Sequence, residues 1–156
     1  MRMFEVKVKL ANLAVPSRTE EVSLLVDTGA TLSWVPRQLL EKLGVKPTAK
    51  LEFQLADGRL LQRDAGAALF TIDGDGKSLG IPIAFGGPGE ESVLGATALE
   101  ALGFMVDPVE KKLIPRNLRM LRVGTNEPFT AYQFMEGLSV LALGRIEAEG
   151  VRKCFS

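Results

Sequence analysis

Asp27 is the residue of this sequence whose type and surroundings are best suited to chemistry. It follows the apolar run Leu24-Leu25-Val26 and precedes Thr28 and Gly29. The run predicts a buried strand and the Thr-Gly pair a tight turn, so the carboxylate falls where the strand ends. A carboxylate there is costly to ionise unless donors surround it, and such groups are candidates for functional sites. The other interpretation is that Asp27 only caps the turn through its side chain, as aspartate often does.

The residue types that the chain lacks narrow the possible chemistry. The sequence has no histidine and one cysteine, Cys154. Without histidine, Ser-His and Cys-His nucleophiles and histidine-ligated metals are excluded, and Cys154 has no partner base to activate it. Hydrolysis would therefore depend on carboxylates, lysine or tyrosine, and we expect no metal and no organic cofactor.

Length and composition predict one soluble domain. The 156 residues are 46% hydrophobic, and 19 basic residues balance 19 acidic ones, so we expect neither a nucleic-acid nor a membrane partner. Alternating apolar residues from Phe4 to Leu10 indicate a strand rather than a signal peptide. The longest apolar run near the C-terminus, Val140 to Leu143, is too short to span a bilayer. A single cysteine fits a reducing compartment, and the expected location is the cytoplasm.

The elements that must hold Asp27 are mostly strands. Apolar segments bounded by Gly, Pro and Asp predict strands, and Pro36 followed by leucines predicts a short helix that ends at Gly44. Asp57-Gly58 between two apolar segments predicts a hairpin with both turn residues at positive φ. The predicted strands cover residues 3–10, 22–26, 51–55, 60–64, 67–72, 79–85, 104–106 and 112–114, with a turn at 73–76, a short apolar piece at 93–94 and a second helix at 98–102.

The sequence also contains an internal repeat. One copy runs from Gly29-Ala30-Thr31 to a Leu-rich helix that ends at Gly44, and the other runs from Gly95-Ala96-Thr97 to a similar helix that ends at Gly103. Two such units predict a pseudo-two-fold arrangement within the domain. Chance similarity between short apolar helices is the alternative.

Three elements in this order resemble those of the retropepsin-like aspartic proteases, the group that includes the retroviral proteases. They are Leu25-Val26-Asp27-Thr28-Gly29-Ala30, the hairpin around Asp57-Gly58, and Val93-Leu94-Gly95 followed by a helix. The resemblance runs from about residue 4 to residue 115 and implies a bacterial-type, single-domain member. It implies a mostly β, closed-barrel acid-protease fold with two short helices over residues 1–115, followed by a C-terminal extension over residues 116–156.

The resemblance further implies an activity and the residues that carry it. The chain would be an aspartic endopeptidase, with Asp27, Thr28 and Gly29 as its catalytic turn. Ala30 and the flap residues Ala56-Asp57-Gly58 would contact the peptide or protein substrate. The family pattern also implies a homodimer that is active only as a symmetric pair.

The chemistry requires a second acid independently of the resemblance. One carboxylic acid must hold a proton while its neighbour takes a proton from water, and one group cannot do both. The second copy of the repeat has Val93-Leu94 where the first has Asp27-Thr28. The partner acid would therefore be Asp27 of a second subunit, placed by a two-fold axis.

The chain departs from the retroviral pattern in two places. The flap tip has one glycine and a charged pair, Asp57 and Arg59, and a long segment comes after Ile114. Apolar and aromatic residues between Phe129 and Leu138 predict a helix that docks on the core, but they could equally shape a dimer contact, cover the site or remain loosely ordered.

Two rival hypotheses stay open on the sequence alone. The chain could be a catalytically idle peptide-binding or dimerisation module of the same fold, which keeps the Asp-Thr-Gly turn for structure. It could also be an inactive monomer that dimerises only at high concentration or with a partner. Sedimentation across a concentration series separates the second hypothesis from a constitutive dimer.

Overall fold

The computed structural model describes residues 2–72 and 76–120. Its elements are β1 (Arg2–Ala11), β2 (Thr19–Asp27), β3 (Ser33–Pro36), α1 (Arg37–Lys42), β4 (Ala49–Gln54), β5 (Leu60–Ile72), β6 (Leu79–Gly86), β7 (Val93–Leu94), α2 (Ala96–Leu102), β8 (Phe104–Asp107) and β9 (Lys112–Pro115). Contacts divide the chain into residues 1–118 and 119–156, and every element named here lies in the first part. Most of the turn predicted at 73–76, the helix predicted at 129–138 and Cys154 lie outside the described residues, and the boundary at residue 115 stays a prediction.

Seven of the nine strands among the described residues form one sheet. The order is β1-β2-β7-β3-β6-β5-β4, and β1 also pairs with β5 through Val8–Ala11. The pairs β2–β7 and β3–β6 are parallel, and the other pairs are antiparallel. β8 and β9 form a separate two-stranded sheet. The prediction of a mostly β fold with two short helices is confirmed.

Buried and exposed side chains alternate along β1, and the buried ones form part of the core. Val8 and Leu10 are fully buried, whereas Lys7 and Lys9 on the opposite face are exposed. The two helices cover this core with leucines at helical spacing, such as Leu40 in α1. Neither helix among the described residues is long and apolar enough to cross a membrane.

One strand is longer than the sequence pattern predicts. β5 runs without interruption from Leu60 to Ile72, whereas the pattern predicts two strands separated at Ala65-Gly66. Gly66 is a strand residue because another part of the chain passes close by: a Cβ at this position would lie 2.7 Å from the carbonyl oxygen of Lys46. The glycine therefore marks a close approach of two backbones and not a turn.

Truncation of Phe70 tests the central place of β5 in the core. Phe70 is fully buried, and its neighbours in the sheet are Leu10 and Leu79. We expect Phe70→Ala to lower the free energy of unfolding by about 4 kcal/mol, because lost transfer energy and a residual cavity add. Urea denaturation measures the change. Val109→Ala is the control, since this side chain is 85% exposed and its loss should cost less than about 0.5 kcal/mol.

Candidate active site

Asp27 is the last residue of β2 and the first residue of a tight turn. Its Oδ1 accepts the N–H of Gly29 at 2.9 Å, and its carbonyl oxygen accepts the N–H of Ala30 at 3.2 Å. The side chain is half-buried, whereas Thr28 and Gly29 are exposed. Asp27 therefore does cap its own turn, and the cap holds the carboxylate at the surface end of a buried strand.

The local hydrogen bond alone does not distinguish Asp27 from two other aspartates. Asp57 accepts the N–H of Arg59 at 3.0 Å, and Asp107 accepts the N–H of Val109 at 2.9 Å, each two residues further along the chain. Asp107 also ends a strand, β8, but that strand belongs to the small separate sheet. What sets Asp27 apart is that its strand lies beside β7 within the main sheet.

Around Asp27 two segments, residues 27–32 and 92–97, are hydrogen-bonded to each other; we call them the paired segments. Between them, the N–H of Ala96 donates to the carbonyl oxygen of Ala30 at 2.7 Å, and the N–H of Thr97 donates to that of Thr31 at 3.0 Å. The two Gly-Ala-Thr sequences of the repeat are thus hydrogen-bonded to each other. The copies differ in the next element of the chain, because α2 starts directly at Ala96, whereas β3 comes before α1 in the first copy.

Gly95 and Ser33 make the close contact between the paired segments possible. A Cβ on Gly95 would lie 2.6 Å from the carbonyl carbon and oxygen of Leu32 and 2.9 Å from the carbonyl oxygen of Ala30, so only glycine fits. The buried N–H of Gly95 donates to Oγ of Ser33 at 2.9 Å, and Ser33 has no exposed surface. Sequence analysis missed Ser33, although a hydroxyl within the apolar run Leu32-Ser33-Trp34-Val35 is a signal that a buried polar partner must exist.

The predicted flap residues lie on a different element from the Asp27 turn. Ala56-Asp57-Gly58 forms the exposed tip of the β4–β5 hairpin, and the N–H of Gly58 donates to the carbonyl oxygen of Leu55 at 2.9 Å. Of the two turn residues Asp57 and Gly58, only Gly58 has a positive φ, which is +87°. The prediction that both residues have a positive φ is therefore wrong. The pattern is a type I turn followed by a left-handed glycine, which needs no unusual conformation at Asp57.

The β4–β5 hairpin is solvent-exposed along most of its length. Nearly every residue from Leu51 to Leu60 is exposed, including three leucines that are 40%, 37% and 63% exposed, Leu51, Leu55 and Leu60. A hairpin that buries neither face can change position at little cost in packing. It has the features of a lid.

A cleft of about 730 Å³ lies apart from the Asp27 turn. It is lined by α1, by Gln62 and Arg63 of β5, and by the glycine-rich segment 86–89. Arg37 lies over the ring of Phe85 at 4.8 Å and binds Asp64 at 2.5 Å. Sequence analysis missed these charged residues. Within the described part of the chain, no group of three metal-ligating side chains comes together.

Comparison with known proteins gives one family and a set of similar folds. A family model described as aspartyl protease matches residues 6–98, and no curated protein sequence matches. A retropepsin-like aspartic protease from Rickettsia conorii is 23% identical with a TM-score of 0.43, covering 66% of this chain and 76% of its own. EIAV protease, solved with an inhibitor, is 18% identical with a TM-score of 0.42, covering 65% and 88%. The retroviral protease-like domain of Ddi1 from Leishmania major is 16% identical with a TM-score of 0.43, covering 74% and 91%.

Substitution of Gly95 tests the close contact between the paired segments. Gly95 has φ −92° and ψ 176°, which alanine adopts freely, so Gly95→Ala introduces only the clash with the Leu32 and Ala30 carbonyls. We expect a loss of about 3 kcal/mol or more in the free energy of unfolding. Chemical denaturation measures the loss.

The matched control for this substitution is Gly58→Ala, where the backbone conformation, and not a steric clash, disfavours a side chain. A Cβ there meets nothing within 4 Å, but the φ of +87° is unfavourable for alanine. It should cost about 1 kcal/mol. Equal effects at both positions would contradict the close backbone approach at Gly95.

Proposed function

Because the chain belongs to the aspartyl protease family, whose model matches more than half of it, we propose that it is an aspartic endopeptidase. It acts as a homodimer, in which Asp27 of each subunit supplies one carboxylate of a catalytic pair. The substrate is a peptide or an extended protein segment, and no metal or organic cofactor takes part. The observation that carries this proposal is the position of Asp27 at the paired segments.

The geometry around Asp27 supports a catalytic carboxylate. Its backbone is held by the pairing of the two preceding residues, Leu25 and Val26, with β7 and by the bond from the Ala30 N–H to its own carbonyl oxygen. Its Oδ1 is held by the Gly29 N–H, so the side chain is oriented before any ligand arrives. A preorganised, half-buried carboxylate next to exposed Thr28 and Gly29 can meet both a water molecule and an approaching peptide backbone.

The same chain carries no second acid at the equivalent position of the repeat. Val93-Leu94, which corresponds to Asp27-Thr28 in the repeat, forms β7 and is buried within the sheet. A two-fold axis near the Asp27 turn would bring two identical carboxylates together. One chain would then contribute one wall of the substrate groove.

The two carboxylates divide the acid-base work. Two facing carboxyl groups share one proton, so the pKa of one is lowered and that of the other raised, and the pair titrates as a unit. The ionised Asp27 takes a proton from the water that attacks the scissile carbonyl. The protonated Asp27 polarises that carbonyl and then donates to the leaving amine. No covalent intermediate forms.

The neighbouring residues hold the pair and the peptide. Thr28 braces the two turns at the axis through its hydroxyl, and Gly29 lets the peptide backbone approach closely. Ala30 contacts the peptide beside the pair, and Ala56-Asp57-Gly58 close over it as the tip of the lid. The peptide is held mainly through its main chain, as an added strand, and closure excludes water from the reaction.

Replacement of Asp27 tests the chemistry. Asp27→Asn keeps an oxygen that can accept the Gly29 N–H but cannot take or give the catalytic proton. We expect cleavage of a complex peptide library to fall by about 10³-fold or more between pH 4 and pH 7, with the folded dimer retained. Mass spectrometry of the products measures cleavage and reports the preferred side chains.

Asp107→Asn is the matched control, because Asp107 ends a strand and caps a turn in the same way. It should leave cleavage unchanged. A well-folded dimeric wild type that cleaves nothing would favour the idle binding module. Cleavage that persists in Asp27→Asn would place the chemistry at another site.

A mixed dimer tests whether both carboxylates are needed. A dimer with one wild-type subunit and one Asp27→Asn subunit, purified with two different affinity tags, should be as inactive as the dimer with two substituted subunits. Half of the wild-type activity in the mixed dimer would show that each subunit works alone. The rate of cleavage of one peptide found by the library is the measurement.

A further inference from the structure

The β4–β5 hairpin leaves the main sheet at a defined junction. Residues 60–64 of β5 pair with β4, and residues 65–70 pair with β6, with Ala65 paired on both sides. Beyond the junction the chain is a two-stranded ribbon, which is marginally stable without further support. Contacts at the junction therefore determine the direction in which the hairpin projects.

Two neighbouring residues at this junction bind charged partners on different elements. Arg63 forms an ion pair through Nη2 with Oε1 of Glu90, and Asp64 binds Nη2 of Arg37 on α1 at 2.5 Å. The side chains of Arg63 and Glu90 are 26% and 38% exposed, so their attraction is less screened than that of a fully exposed pair.

Glu90 also organises the loop from which it extends. Its Oε2 accepts the N–H of Gly87 at 2.9 Å, and the segment Gly87-Pro88-Gly89-Glu90 is a type II turn with Gly89 at φ +75°, as proline followed by glycine favours. A Cβ on Gly87 would lie 3.0 Å from Nη1 of Arg63 and 3.1 Å from Oε1 of Glu90. The ion pair is therefore packed directly against the turn.

The same loop leads into the paired segments. Two residues after Glu90, the carbonyl oxygen of Ser92 accepts the N–H of Leu25 at 2.9 Å, and Val93-Leu94 then pairs with Leu25-Val26 of β2. Asp27 is the next residue of β2. A short and continuous path thus connects the base of the hairpin, through Arg63 and Glu90, to the strand that carries Asp27.

We propose that the Arg63–Glu90 ion pair positions the β4–β5 hairpin relative to the Asp27 turn, so that the lid closes on the peptide at the correct place. The proposal rests on the proposed function for its catalytic meaning. Arg63 and Glu90 are positioning residues, because they act through the hairpin and the loop and do not contact the reacting atoms. Their effect is on how tightly the peptide is held, with the carboxylate chemistry unchanged.

The test combines hydrogen exchange of the hairpin with the kinetics of peptide cleavage. Glu90→Gln removes the charge but keeps an oxygen to accept the Gly87 N–H, and Arg63→Gln removes the other charge. The double substitution completes a double-mutant cycle. Glu21→Gln is the control, because it removes a more exposed ion pair with Lys7 between β1 and β2, away from the hairpin.

We expect each single substitution to speed amide exchange in the hairpin by about threefold, as the loss of a partly exposed ion pair allows, and the double substitution to add little. KM for a cleaved peptide should rise by a similar factor, with kcat and its pH profile unchanged. Glu21→Gln should change neither quantity. High salt should speed exchange in the wild type and have less effect in the variants.

Three results would decide against the proposal or against its premise. Unchanged hairpin exchange in both single variants would overturn the positioning role. Faster exchange with an unchanged KM would also overturn it, because the hairpin would then have no part in holding the peptide. If the wild type cleaves no peptide, the proposed function fails, and exchange alone decides whether the ion pair anchors the hairpin.

Discussion

The close contact between two backbones at Gly95 is the constraint on which the rest of the site depends. Gly95 lies against the carbonyls of Leu32 and Ala30 with no room for a side chain, and its buried N–H is satisfied by Ser33. This contact allows the N–H groups of Ala96 and Thr97 to donate to carbonyl oxygens of the other paired segment, residues 27–32, and places β7 beside β2. The position of Asp27 is a result of that arrangement, because the carboxylate ends the strand that β7 supports.

Local and global features contribute differently to the site. The cap on the Gly29 N–H is a common arrangement, which Asp57 and Asp107 share. It fixes the direction of a carboxylate but says nothing about its role. The role proposed for Asp27 rests on its surroundings, where a half-buried acid lies beside exposed Thr28 and Gly29 at the end of a buried strand. The chemistry proposed for this acid rests on membership of the aspartyl protease family.

The sequence predicted the elements well where glycine and proline mark their ends, as at α1, α2 and the β8–β9 hairpin. It failed where spatial neighbours decide the outcome. Gly66 suggested a break in β5, but its missing side chain instead leaves room for the carbonyl of Lys46. Asp57 has a negative φ because Gly58 alone is the left-handed residue of that turn. The repeat was visible in the sequence, but the hydrogen bonds between its copies were not, and neither was the partner of Ser33. Ion pairs such as Arg63–Glu90 join distant positions and leave no local pattern.

The burial of β7 has a consequence for how the activity would be controlled. Val93 and Leu94 are 2% and 0% exposed, and a carboxylate placed there would be costly without water or donors around it. Point substitution at these positions therefore cannot readily convert the chain into a self-sufficient enzyme with two acids. Under the proposed mechanism, the active species obeys mass action, and its fraction falls steeply when newly made chains are dilute. The cell could keep such a protease silent by its abundance alone.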